Sequence, residues 1–159
     1  MKTVNVVTLG CSKNLVDSEH LLKQFEANGF EVSHDSNNPA DVVIVNTCGF
    51  ILDAKEESIA TIMDYIQAKE AGDVKKLYVM GCLSARYQNE LIAEIPEVDR
   101  FFGKFDFDAI IKELGIQKRK DLLFDRVQTT PSHFAYLKVS EGCNRTCAFC
   151  AIPQFTGKH

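Results

Sequence analysis

The sequence predicts an α/β fold: a parallel sheet of the flavodoxin-like or Rossmann-like kind, flanked by helices on both faces. Three observations predict it. The run Asp41 to Asn46, Asp-Val-Val-Ile-Val-Asn, is continuously apolar between polar ends, as a strand buried on both faces of a parallel sheet is. Ile59, Ile62, Met63 and Ile66 recur at i, i+3, i+4 and i+7, the spacing of one helical face. Strand-like and helix-like segments alternate as βαβ-βαβαβα with crossovers of helical length, which lays consecutive strands parallel. A chain of 159 residues with 45% hydrophobic content is long enough to bury the core this needs.

In chain order, residues 3 to 9, Thr-Val-Asn-Val-Val-Thr-Leu, are rich in β-branched side chains and end at Gly10 and Cys11, giving a first buried strand. A helix follows from Asn14 or Asp17, with Leu21, Leu22 and Phe25 on one face, and stops at Asn28-Gly29. Phe30 to Ser33 is a short second strand, and His34 to Pro39 is a polar loop of turn-forming residues. Asp41 to Asn46 is the third strand and ends at Thr47, Cys48 and Gly49. The helix from Ala54 to Ala71 sends Ile59, Ile62, Met63 and Ile66 into the core and stops at Gly72. Lys76 to Met80 is a strand leading into Gly81 and Cys82, and Ser84 to Glu94 is a helix closed by Pro96. Val98 to Phe102 is a fifth strand, and Asp106 caps a last helix through Ile110, Ile111 and Leu114 to Gly115. Residues 1–115 thus read as one α/β domain, 116–132 as a linker holding a charged segment and Thr129-Thr130-Pro131, and 133–159 as the entry to a second domain. Phe134 to Val139 is expected to be a strand, like the first strand of a βα barrel, that delivers the loop after it.

That loop carries the plainest chemical signal in the chain. Cys143, Cys147 and Cys150 form a CxxxCxxC pattern, so three thiols on one short loop can wrap a single inorganic cluster, and thiolate is the ligand of iron-sulfur clusters. A cubane held by three protein ligands keeps one iron open, and an open position separates a reactive metal site from a closed structural one. The alternative is a zinc knuckle completed by His133 or His159, but zinc sites favour paired Cys-x-x-Cys ligands and no second pair occurs. The other three cysteines show a different regularity. Cys11, Cys48 and Cys82 each follow a predicted strand directly, at the carboxyl edge where open parallel sheets bind ligands, so they are expected to converge into a second three-thiol site. Taken singly, each could be a small buried residue beside a turn. Neither a Walker loop nor a GxGxxG stands in the sequence, which leaves the common nucleotide uses of such sheets unsupported.

Composition narrows the setting. No stretch is apolar and long enough to span a membrane, and Val4 to Gly10 before Cys11 is too short for a signal peptide, so a cytoplasmic protein is expected. In that setting six cysteines point to metal or redox use before disulfides. A net charge of -4 argues against a broad nucleic-acid surface, DNA included; the short basic run Lys118-Arg119-Lys120 could touch a phosphate backbone but reads better as a solvated linker. His20, His34, His133 and His159 have no ligand-like spacing and are expected at the surface. Asp17, Ser18 and Glu19 lie near Cys11, where they could tune a cluster or cap a helix.

The CxxxCxxC loop, with Phe149 before Cys150, resembles the signature of the radical S-adenosylmethionine enzymes, and the whole chain resembles their methylthiotransferase family. The match runs through Gly10-Cys11-Ser12-Lys13-Asn14-Leu15-Val16-Asp17-Ser18-Glu19, Asn46-Thr47-Cys48-Gly49-Phe50-Ile51, Ala54-Lys55-Glu56-Glu57-Ser58, Ile95-Pro96-Glu97-Val98-Asp99, Cys150-Ala151-Ile152-Pro153 and Thr156-Gly157-Lys158-His159. These look like the branch that modifies ribosomal protein S-12 of the small subunit; the tRNA branch tends to carry Gln-Met-Asn after its first cysteine and Ser-Val-Arg after its second. The resemblance implies two 4Fe-4S clusters, one on Cys11, Cys48 and Cys82 and one, with S-adenosylmethionine on its open iron, on Cys143, Cys147 and Cys150. It implies a 5'-deoxyadenosyl radical from the second site, a sulfur carried and methylated at the first, and a methylthio group placed on the β-carbon of an aspartate. That carbon has no acidic hydrogen, so side-chain acid-base chemistry does not reach it. An external electron donor is implied as a partner, and no catalytic side chain beyond the cluster ligands.

A βα barrel needs on the order of 200 residues, so the chain is expected to be an amino-terminal fragment, inactive alone but able to hold the first cluster. Two other readings remain at this level: a tRNA adenosine methylthiotransferase with the same cofactors, and a non-catalytic metal-binding or redox module that holds zinc or forms disulfides.

Overall fold

The computed structural model describes residues 2–159. Its centre is a five-stranded, all-parallel sheet in the order β2-β1-β3-β4-β5, the flavodoxin-like arrangement of the doubly wound fold. The strands are β1 (Thr3–Thr8), β2 (Glu31–His34), β3 (Ala40–Thr47), β4 (Val74–Gly81) and β5 (Arg100–Phe101). Helices α1 (Ser12–Ala27), α2 (Leu52–Ala71), α3 (Cys82–Glu94) and α4 (Phe107–Glu113) connect or follow them, and a short α5 (Ile152–Thr156) lies near the end. Because β1 sits between β2 and β3, the chain reverses its direction of travel across the sheet there, and a crevice opens at the carboxyl ends of β1 and β3.

The apolar run of β3 divides between two cores because successive strand side chains point to opposite faces. Val43 and Val45 join Val7, Leu77 and Val79 under Ile62 and Ile66 of α2 and Leu83 and Leu91 of α3. Val42 and Ile44 join Val4, Val6, Tyr78 and Met80 against Leu21, Leu22 and Phe25 of α1 and Ile110 of α4. Register at the start of the sheet is clamped across β1 and β3: Thr3 donates its backbone N–H to Asp41 Oδ2 (2.9 Å), and Asp41 N–H donates to Thr3 Oγ1 (2.8 Å).

Several local expectations need correction. Met63 is 45% exposed while Ile62 and Ile66 are buried, because the stripe facing the sheet is narrower than the sequence pattern. The fifth strand shrinks from Val98–Phe102 to Arg100–Phe101. Asp106 stands at the first position before α4, but its carboxylate accepts from the N–H of Gly103 (2.7 Å), which closes the preceding turn, and it accepts from no N–H of the helix. Asp17, Ser18 and Glu19 are not caps either, since α1 begins at Ser12 and all three are buried in its second turn. Phe134 to Val139 forms no strand. Its β-prone residues have no neighbouring strand to pair with among the described residues, and Leu137 and Val139 are each 83% exposed. Residues 126–141 instead run along α1, held there by polar contacts. Among the described residues, no helix is long and apolar enough to cross a membrane.

Candidate metal centre

The carboxyl edge of the sheet receives one cysteine from each of three strands. Cys11 occupies the N-cap position of α1 with extended backbone, Cys48 follows β3, and Cys82 opens α3 directly after β4. The first two flank the crevice where strand order reverses. Tight glycine turns make the approach possible: Gly10 has φ +89°, and a Cβ there would lie 2.7 Å from Cys48 Sγ, so any side chain at this position displaces the second thiol. Gly81, at φ +102°, lets Cys82 turn into its helix against the backbone of Thr47. Ser58 of α2 fixes Cys48 from both sides, its Oγ accepting from Cys48 N–H (3.1 Å) and donating to Cys48 O (2.9 Å).

Two buried asparagines tie these turns together. Asn14 donates from Nδ2 to Leu9 O (3.0 Å) and Thr47 O (3.1 Å), joining the ends of β1 and β3. Asn46 donates to Asn14 O and to Ser18 Oγ, both at 3.0 Å. Asn14 Oδ1 in turn accepts from the ammonium of Lys104 (2.9 Å), which also lies 3.5 Å from Cys82 Sγ and 3.7 Å from Asp17 Oδ2. Lys104 is only 4% exposed. Burial pushes the Cys82 thiol above its ordinary pKa, the charge and hydrogen bond of Lys104 pull it down, and Cys48 and Cys11 add to the rise, so all three sulfurs share one electrostatic neighbourhood.

All six thiols are free, with Cys48 and Cys82 buried, Cys143 and Cys150 half-buried, and Cys11 and Cys147 exposed. Among the described residues no three Cys, His, Asp or Glu side chains converge closely enough to ligate one ion. An iron-sulfur cluster makes a different demand, one thiolate to each of several irons, so its ligands stand apart by the width of the cluster. The all-sulfur donor set at the sheet edge and the cation beside it fit such a cluster better than a single hard ion.

The second loop is closed by the segment after it. Cys143 N–H donates to Gly157 O (3.1 Å), Cys150 N–H to Cys147 O (3.1 Å) and His159 N–H to Asn144 Oδ1 (3.0 Å). Arg145 N–H points to Cys143 Sγ at 3.5 Å, and Phe149 is almost fully exposed. Glu141, two residues before Cys143, pairs with Lys138 at 2.6 Å, and Lys138 pairs at the same distance with Asp17. Burial pushes the Glu141 carboxyl up, but the Lys138 hydrogen bond and the charges of Lys104, Lys138 and Lys13 outweigh it and hold it below its ordinary range. An unbroken run of charged and polar contacts, Cys82 to Lys104 to Asp17 to Lys138 to Glu141, therefore joins one cysteine set to the other. Asn14 and Asn46 stand in the motifs around Cys11 and Cys48, but their sequence neighbourhood does not show what they bond, and Lys104 and Lys138 escaped the sequence reading because no motif links them to any cysteine. The histidines divide. His133 and His159 are exposed as expected, whereas His20 and His34 are half-buried, with ring nitrogens 3.0 Å from Asp125 O and 2.9 Å from Thr8 Oγ1.

Fold and site together define an α/β domain of flavodoxin-like topology whose switch-point crevice is lined by strand-end thiols. The chain belongs to the family described as Uncharacterized protein family UPF0004, whose model matches residues 3–103 and so spans the first three cysteines. It is 57% identical over 158 residues to the ribosomal protein uS12 methylthiotransferase RimO of Phocaeicola vulgatus, covering 99% of this chain and 37% of that protein. The proteins of the same description from Bacteroides thetaiotaomicron and Cytophaga hutchinsonii are each 55% identical, over 99% and 98% of this chain and 36% of their own lengths. The chain thus spans little more than a third of the curated relatives it matches. Among solved structures, the cobalamin-dependent S-adenosylmethionine radical enzyme OxsB aligns over 76% of this chain and 20% of its own, at 14% identity and a TM-score of 0.46.

Proposed function

We propose that this chain is the cluster-bearing amino-terminal part of a radical S-adenosylmethionine methylthiotransferase acting on ribosomal protein S-12 in the cytoplasm. The observation that carries the reading is identity of 55% or more, over nearly the whole chain, to proteins described as uS12 methylthiotransferases. The placing of Cys11, Cys48 and Cys82 at the carboxyl ends of the neighbouring strands β1, β3 and β4 supports it from the side of chemistry. These three would hold one 4Fe-4S cluster, and Cys143, Cys147 and Cys150 a second, on which S-adenosylmethionine would bind. When bound, these groups supply one-electron chemistry and the sulfur, so that one hydrogen on the β-carbon of an aspartate is exchanged for a methylthio group. The residues of this chain do the placing. Gly10, Asn14 and Ser58 fix the turns that present Cys11 and Cys48, the Gly81 turn aims Cys82, and the closed 142–159 loop spaces the second set. The 1–115 segment acts as a domain, residues 116–132 as its connection, and 133–159 as the entry to the radical domain; an electron donor and the small ribosomal subunit are the partners.

The test is anaerobic reconstitution with iron and acid-labile sulfide counted on wild type, on Cys11/Cys48/Cys82→Ala and on Cys143/Cys147/Cys150→Ala. Each triple variant is expected to lose one cluster's iron and sulfide and keep the other's. Zinc without sulfide, or iron binding indifferent to both triples, supports a metal-binding or redox module instead. Mass spectrometry of S-12 and of tRNA from cells with and without the gene separates the protein substrate from tRNA adenosine.

A further inference from the structure

Lys104 reaches the cysteine-bearing sheet edge from the turn between β5 and α4, and its ammonium lies closer to a neutral amide and a sulfur than to any carboxylate. A buried ammonium is costly unless its charge is matched and its N–H groups are satisfied. The carboxylate available to it, Asp17, is not within hydrogen-bond reach: Oδ2 lies at 3.7 Å and has no hydrogen-bond partner, while Lys138 takes Oδ1 at 2.6 Å. What Lys104 does contact is the neutral Asn14 Oδ1 at 2.9 Å and the sulfur of Cys82 at 3.5 Å. Counted by charge, the linked group of Lys104, Lys138, Lys13, Asp17 and Glu141 holds three cations to two carboxylates, and the most deeply buried of the three ammoniums adjoins the thiol.

We propose that Lys104 is a positioning residue of the Cys11, Cys48 and Cys82 site, whose ammonium, oriented by Asn14, neutralises negative charge on the Cys82 sulfur and raises the reduction potential of a cluster held there. A nearby cation favours the form carrying one more electron, and solvent screens an ammonium as buried as that of Lys104 little. The inference rests on the reading that these three cysteines hold an iron-sulfur cluster.

The experiment uses the full chain carrying Cys143/Cys147/Cys150→Ala, so that one site remains, and compares Lys104, Lys104→Met and Lys104→Arg after anaerobic reconstitution. Iron and sulfide are counted, thermal melting checks the fold, and the midpoint potential is read by redox titration with EPR. The methionine variant is expected to load the same iron and sulfide and to become harder to reduce by about tenfold in the equilibrium constant, or about 59 mV for one electron, while arginine stays near the parent. Loss of the cluster in the methionine variant, with an unchanged melt and rescue by arginine, also supports the proposal. Should methionine at 104 prevent folding, Lys104→Gln is read in its place. Equal loading and equal potential in the neutral variant overturn the role of Lys104 and leave the cluster reading standing. A cluster lost equally with methionine and arginine overturns it too, since charge is then not the operative property. If the parent binds no iron, or binds it regardless of Cys11/Cys48/Cys82→Ala, the site reading falls and the proposal with it.

Discussion

Asp17 is a single carboxylate facing two ammoniums, Lys104 at 3.7 Å and Lys138 at 2.6 Å, inside a nearly closed space. Burial raises its pKa despite both cations, and the Lys138 hydrogen bond and the two lysine charges counter that rise. Removing its charge leaves two buried cations with Glu141 alone, and losing one partner of a buried ion pair typically costs about 3–5 kcal/mol. Asp17→Asn is therefore expected to lower unfolding stability in urea by about that amount, well beyond the few tenths typical of a surface substitution; a change below about 1 kcal/mol counts against the pairing. Gly10 offers a second test on a different principle. Alanine there meets both an unfavourable backbone, at φ +89°, and the Cys48 sulfur, 2.7 Å from its Cβ. Left-handed backbone alone costs a non-glycine residue roughly 1–2 kcal/mol, so Gly10→Ala is expected to melt lower and, because Cys48 must move, to load less iron at the first site.

At the scale of elements, β3 was legible because burial on both faces requires an unbroken apolar run, and Asp41 to Asn46 supplies it. Helix lengths and the parallel order were legible for the same kind of reason: periodicity records which side faces the core. The ends were less so. α1 starts at Ser12 and not at Asn14 or Asp17, and α2 starts at Leu52, because a helix start is set by local backbone geometry that composition describes weakly. Phe134 to Val139 was misread since strand propensity becomes a strand only beside a partner. The β1–β3 clamp yields a prediction with a definite sign. The hydrogen bond from Lys75, then the Thr3 N–H, hold the Asp41 carboxyl at about 2, below its ordinary 3.8. A carboxylate whose folded value is depressed adds stability that is complete above its unfolded value and is lost as pH falls through the folded one. Wild type is thus expected to lead Asp41→Asn in stability above about pH 4 and to lose that lead by about pH 2; parallel urea profiles across that range would falsify the assignment.

Across the whole molecule, the cysteine positions were legible as a pattern, but the means of fastening the second loop to the first domain was not. Residues 116–132 read as a free linker by composition, yet a buried acid on α1 fastens their last turn. Glu19 accepts from the N–H of Thr129 (2.7 Å) and its Oγ1 (2.8 Å), pairs with Arg126 at 3.2 Å, and offers its backbone carbonyl to Val127 N–H (3.1 Å). Two residues earlier on the same helix, Asp17 holds Lys138 and through it Glu141, so α1, whose start carries Cys11, also carries the approach to Cys143. Spacing in the sequence gives no hint of this, because partners 110 residues apart meet only after the sheet has formed. If Glu19 is the fastening, its loss frees the strap without unfolding the sheet beneath it. Glu19→Gln is expected to speed tryptic cleavage after Arg126 at least about tenfold, the effect of losing one charged hydrogen bond of about 1.5 kcal/mol, and to raise amide exchange at Val127 and Thr129. Amides of Val43 and Val45 in β3 are expected to exchange as in wild type. Faster exchange in β3 as well would show that Glu19 supports the whole core, and unchanged cleavage at Arg126 would show that the strap is held by its other contacts, among them Lys138 to Asp17 and Arg119 to Gln24.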